Sequence, residues 1–218
     1  MRLFNGITND KMLTGAETMR DLFEKDQSLF EAFDSSLNDA FKSDWDNKID
    51  AARGEPSDET VTNGIEEFSA VVQDAWEACK IHFEDSKYFI EKAFPDNATQ
   101  HGFGFKGIRA MSRNQDKVIP FMDQFHGMAE KNKVALLANG YTQAKIDAIE
   151  TLAETFRNAQ RLQENEKKDR PLKTKNRVEK INAVWKMLQK VNRASKRVFK
   201  NDFAKRKAYL LPRINEKK

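Results

Sequence analysis

The sequence predicts an all-α protein, an up-and-down bundle of about five long amphipathic helices followed by a short C-terminal one. Three observations predict it. Apolar residues recur every three or four positions along most of the chain, the period of a helix that buries one face. Alternation with a period of two, which marks a half-buried strand, is nowhere sustained. The nine Gly and five Pro fall mostly in a few clusters, at Gly54–Pro56, Pro95–Gly107, Gly140 and Pro171, so long stretches run without a breaker. Short connections between such helices make neighbours antiparallel, and a single domain over 1–218 follows.

The first segment, 8–53, carries Met19, Leu22, Phe23, Leu29, Phe30, Phe33, Leu37, Phe41, Trp45, Ile49 and Ala52 as a nearly continuous stripe. Asp34-Ser35-Ser36 lies within it, and short polar side chains compete with the helical ladder, so one helix or two fit equally. Gly54 to Asp58 is a turn. The next segment places Ile65, Phe68, Val72, Ala75, Cys79, His82, Ser86, Phe89 and Ala93 in steps of three and four, with Trp76, Phe83 and Ile90 widening the face, and stops before Pro95. Together these two segments predict a long helical hairpin over 8–95.

Residues 95–107 read as an irregular connector. Helix 108–139 follows, with a kink or fresh start at Pro120, then Gly140 as a C-terminal cap and Thr142 as an N-cap. Helix 142–167 ends in the charged stretch Lys168–Lys173 around Pro171. Thr174 opens helix 174–200, and a last helix occupies 202–210 and carries Phe203.

Composition narrows the function classes. With 39% hydrophobic and 33% charged residues, the chain is either disordered or a helical protein with much surface; sixteen Phe, three Trp and a net charge of +4 exclude disorder. No apolar run reaches the ~18 residues that span a bilayer, so no membrane partner is expected. The start, Met1 to Gly6, lacks the apolar core of a secretory signal, and the lone Cys79 excludes an internal disulfide, which together predict a cytoplasmic protein. The sequon at Asn97 then has no use.

Charge is distributed unevenly. Residues 1–100 hold 10 Lys+Arg against 22 Asp+Glu, a net of −12, whereas 165–218 hold 19 against 5, a net of +14. Basic helices packed beside acidic ones would pair internally. Left unpaired, the same cations would displace the counterions condensed on a nucleic acid. The residues that would do so are Lys186, Lys190, Arg193, Lys196, Arg197, Lys200, Lys205, Arg206 and Lys207, in the basic helices of 174–213. What separates the two readings is whether these cations form one exposed face or sit against acids such as Asp39, Asp46 and Asp50.

Catalytic patterns are weak. Gly102-Phe103-Gly104-Phe105-Lys106-Gly107 matches a dinucleotide fingerprint in letters, but that motif needs a preceding strand, so the two Phe are expected to plug the bundle. Asp123 and His126 sit one turn apart, as in the Glu-x-x-His pairs of di-iron bundles, yet no second pair exists. Cys79 and His82 both occupy the core stripe, and a structural role is expected of each. No cofactor or metal is called for.

The stretch from Thr174 through Arg177-Val178-Glu179-Lys180-Ile181-Asn182-Ala183-Val184-Trp185, then Phe199-Lys200-Asn201-Asp202 and Lys205-Arg206-Lys207-Ala208-Tyr209-Leu210-Leu211-Pro212, resembles a group of uncharacterised bacterial helical-bundle proteins of the kind common in Bacteroidetes. These end in a helix and a Lys-Arg-x-x-Tyr-x-Leu-Pro-like element. Gly140-Tyr141-Thr142 and the helix from Ala148 to Arg161 are similar to theirs as well. The resemblance implies a bacterial, all-helical protein and supplies no site residues. The sequence therefore favours a non-enzymatic structural or protein-interaction bundle, its broad stripes covered by a partner protein or by a second copy in a homodimer. The alternative is nucleic-acid binding through the basic C-terminal helices. A metal-dependent bundle enzyme using His82 and His126 comes third.

Overall fold

A computed structural model describes residues 1–212, and among these the chain is an all-α bundle without a strand. Residue 213, where the basic segment ends, and those after it lie outside the described residues. Where the sequence reading has one domain, the described chain packs around two hydrophobic cores. One unit joins Met1–Asp58 to the chain from Arg170 onward; the other is Glu59–Asp169.

In the first unit, segment 8–53 is two helices, α1 (Asn9–Phe33) and α2 (Asp39–Arg53). The polar residues between them make the break. Asp34 leaves the helix in an extended conformation and its carboxylate accepts from Ser36 N at 2.9 Å. Asn38 then caps α2 by accepting from Phe41 N at 3.2 Å. These local bonds satisfy groups that a continuous helix would have used in its ladder. Phe23 packs against Phe30, Phe41 and Trp45 with ring centroids 5.0, 5.6 and 6.0 Å apart. Ile181, Val184, Leu188 and Val191, spaced by three and four, complete this core from the later chain. The N-terminus is drawn in as well: Phe4 lies 5.0 Å from Trp185, and Leu3 N donates to Asn182 Oδ1 at 2.8 Å.

The second unit begins with α3 (Asp58–Ala93), whose buried line is Val72, Ala75, Cys79, Phe83, Ser86 and Ile90. The apolar residues of this line belong to the second core, whereas those of α1 and α2 belong to the first. Periodicity shows which face of a helix is apolar and not which partner covers it. The connector 95–107 is also more regular than expected. It holds α4 (Asn97–Gly102), capped by Asp96, which accepts from Thr99 N at 2.8 Å.

Helix 108–139 is likewise divided, into α5 (Ile108–Met111), a 3₁₀ turn (Gln115–Lys117), α6 (Val118–Lys131) and α7 (Lys133–Ala138). Pro120 sits in the first turn of α6, where its missing N–H leaves no bond unmade. Gly140, at φ +92°, ends α7 with Tyr141 N donating to Leu136 O and Gly140 N to Leu137 O, the paired bonds of a Schellman cap.

The largest departure is α8 (Gln143–Val198), a single helix of 56 residues with Pro171 inside it. Helices 142–167 and 174–200 are therefore one, and Thr174 caps nothing. An interior proline costs about 3 kcal/mol through a lost bond and a clash with the preceding turn. Here both arms are anchored: Ile146, Ile149, Ala153 and Phe156 in the second core, Ile181 to Val191 in the first. The residues around Pro171 are mostly Lys, Arg, Glu and Leu, strong helix formers. Pro171→Ala is accordingly expected to stabilise the protein by about 1–3 kcal/mol, seen as a higher urea midpoint by circular dichroism. An unchanged midpoint would count against a helix that runs through this position.

α9 (Phe203–Ala208) follows, capped by Asp202, which accepts from Lys205 N at 2.9 Å. Behind it Tyr209 is buried, with its hydroxyl donating to Asp26 at 3.1 Å and its carbonyl accepting from Asn192 Nδ2 at 2.6 Å. Lys205 is ion-paired with the same Asp26. Burial, followed by the neighbouring Asp26 charge, pushes the Tyr209 hydroxyl far above its ordinary range, so it stays a donor.

Candidate nucleic-acid interface

The last turns of α8 turn one face inward to the first core and the opposite face to solvent. Lys186, Lys190, Arg193 and Arg197 follow one another by four, three and four residues, so they lie within ~60° of each other on the helix. Lys196 stands about 80° to one side, and Lys200 lies in the turn just past Val198. Facing this row across an open groove of about 450 Å³ are Phe33, Asp34 and Leu37, from the end of α1 and the turn after it.

Internal pairing does occur, at the two ends of the basic segment. Arg177 is ion-paired with Asp58 and also donates to Pro56 O at 2.8 Å; Lys180 is paired with Glu55 and Lys205 with Asp26. The middle is different. Lys186, Arg193, Lys196, Arg197, Lys200 and Lys207 are exposed and form no ion pair among the described residues. The acids that were candidates to neutralise them are used elsewhere: Asp46 lies 3.2 Å from Arg20 Nε, and Asp39 accepts from Gln27 Nε2 at 2.7 Å. Asp50 pairs with none of the nine cations.

Two of the nine are engaged without being neutralised. Lys190 Nζ donates to Ser36 Oγ at 3.0 Å and stands 4.8 Å over the Phe41 ring, while the Arg206 guanidinium lies 5.5 Å from the Phe203 centroid. The groove contains one acid. Hydrogen bonds from Ser36 hold the Asp34 carboxyl below its usual range, and the charge of Lys190 adds to this. The structure thus brings Lys186, Lys190, Arg193 and Arg197 into one row, sets Lys196 and Lys200 beside it, and separates Lys205 by its own ion pair. Sequence reasoning missed Phe33, which the apolar stripe assigned to the core. The break at Asp34 leaves it instead at a helix end, 55% exposed.

No protein-family model matches the chain, and no curated protein or solved structure matches it. Among the described residues, no helix is long and apolar enough to cross a membrane.

The other residues singled out by sequence lie in the second unit. Phe103 is fully buried against Phe94, and Phe105 packs edge-on to Phe83 at 5.8 Å, so the Gly102–Gly107 stretch plugs the core with no strand before it. Gly104 takes φ +106°, and a Cβ there would meet the Phe121 ring at 2.7 Å. Cys79 is buried 3.7 Å from Leu152 O, and burial raises its thiol to about 11, so it is not a thiolate at neutral pH. Asp123 lies 3.9 Å from Arg157. Among the described residues, no three His, Cys, Asp or Glu side chains are grouped to hold a metal ion.

His82 Nε2 is 3.0 Å from Lys145 O and 3.4 Å from Tyr141 OH, whose other neighbour is Ser86 Oγ at 2.7 Å. The carbonyl fixes Nε2 as the protonated nitrogen. Burial lowers the His82 pKa from its ordinary 6.5, against an opposing effect of the Lys145 carbonyl. The unfolded chain therefore takes up this proton first as pH falls. Stability attributable to His82 is whole above about 6.5 and is lost as pH drops through that value toward the depressed one. Tm should fall between pH 7.5 and 5.5, and His82→Gln, which keeps a donor for Lys145 O, should flatten that fall. An identical pH slope in the variant would place the proton uptake elsewhere.

Proposed function

We propose that this chain is a non-enzymatic helical bundle that binds nucleic acid through the exposed basic row of α8, in a cytoplasmic setting. One observation carries the reading: Lys186, Arg193, Lys196, Arg197, Lys200 and Lys207 stay unpaired while the flanking Arg177, Lys180 and Lys205 are each matched with an acid. Cations held apart from internal partners, four of the six on one helix, keep their full charge for phosphates. Lys190, which donates to Ser36 Oγ and stands over the Phe41 ring, adds to the row.

The test is fluorescence anisotropy of labelled DNA and RNA, titrated from about 50 to 200 mM salt. Six phosphate contacts should lower affinity at least ~10³-fold over that range. No binding at the lowest salt would remove the proposal and return attention to a protein partner or a homodimer.

A further inference from the structure

The groove beside the basic row is not wholly polar, and its aromatic component bears on which form of nucleic acid it takes. Phe33 is the last residue of α1, and its ring borders the space into which Lys186, Lys190, Arg193 and Arg197 project. A second exposed ring, Phe203 at 70%, opens α9 two residues after Asn201 and carries the Arg206 guanidinium over it at 5.5 Å. Both belong to the same end of the first unit. Phe30, one turn before Phe33, contacts Phe199 and Tyr209 at 5.6 and 5.2 Å, and these residues bracket Phe203 in sequence. Phe30, Phe199 and Tyr209 are buried, so the core at this end is complete without Phe33 or Phe203.

A single exposed aromatic is common on protein surfaces and asks for no explanation. Two, one lining the groove with unpaired Arg193 and Arg197 and the other three residues after unpaired Lys200, supply the parts by which single strands are held: cations track the phosphates and flat rings receive the bases. A duplex keeps its bases stacked inside and offers such rings nothing.

We infer that the basic row binds single-stranded nucleic acid, with bases stacked on Phe33 and Phe203. The inference rests on the nucleic-acid reading above and specifies its ligand. No base preference follows from it, because every base presents a π-face.

The experiment compares a labelled oligo-dT with a duplex of equal length, using the full chain and the variants Phe33→Ala and Phe203→Ala. Both side chains are exposed, and circular dichroism confirms folding. Each variant is expected to weaken oligo-dT binding about 5- to 100-fold, with the salt slope and the duplex affinity unchanged. In a Phe33→Trp variant, saturating oligo-dT is expected to quench the emission of the new indole. Full salt-dependent binding that neither variant weakens, with no quenching, overturns the stacking inference and leaves the electrostatic reading intact. Equal weakening of duplex and single strand overturns it as well. No binding of either probe at about 50 mM salt overturns both.

Discussion

Replacing Arg193, Arg197 and Lys200 with Glu is expected to lower nucleic-acid affinity on the order of 10³-fold or more near physiological salt. Three phosphate contacts are removed and three repulsions put in their place, all within two turns of one another. The salt dependence should flatten in parallel, because fewer counterions are released. None of the three side chains is part of an ion pair among the described residues, so the exchange breaks no ion pair of the fold. A matched control reverses Arg109, Lys117 and Lys131, exposed residues of the second unit. It changes net charge by the same amount. If both triple variants weaken binding equally, the effect is one of overall charge, and the row on α8 is not the interface.

Phe83→Ala is expected to be the most destabilising single change in the second unit, by about 3–5 kcal/mol. Phe83 is fully buried and meets three rings, Phe121, Phe125 and Phe105, with centroids 4.7, 5.0 and 5.8 Å away, all in edge-on geometry. Truncation removes the transfer term and leaves a cavity walled by aromatic rings that cannot collapse into it. The urea midpoint should drop by about 1–3 M. Phe33→Ala, at an exposed helix end, should change stability by no more than about 0.5 kcal/mol. A loss below about 1 kcal/mol for Phe83→Ala would mean the ring cluster is looser than its geometry.

Helix content was the most legible property of the sequence, because it is written in residue spacing. Along α3 the predicted stripe and the buried line share Val72, Ala75, Cys79 and Ser86, but the centre lies nearer Phe83 and Ile90. His82 and Phe89, assigned to the centre, sit half-buried at its margin. Pro171 misled because a local rule, that proline ends a helix, was outweighed by two arms of apolar packing whose partners are far away in sequence. The same non-locality hid the association of α1 and α2 with the end of α8. The nine cations were legible as a group. That Lys205 among them is neutralised depended on an acid brought in from elsewhere, Asp26, and no spacing announces that. Phe33 illustrates the limit most directly: one residue past it the chain leaves the helix, and a position that periodicity assigns to the core becomes surface.

The division of the first unit between the two ends of the chain has a consequence for biosynthesis. The second unit is contiguous, so all of its core has left the ribosome once residue 169 is clear. The first cannot close until contacts such as Phe4 with Trp185 and Phe30 with Tyr209 can form, at sequence separations of 181 and 179. Loops of that length are slow to close, and the waiting α1–α2 segment carries Phe23, Phe30, Phe41 and Trp45 without their later partners. During translation those rings are the surface most in need of a chaperone. The groove forms late: with one wall from residues 33–37 and the other from 186–197, it cannot exist until both stretches have been made.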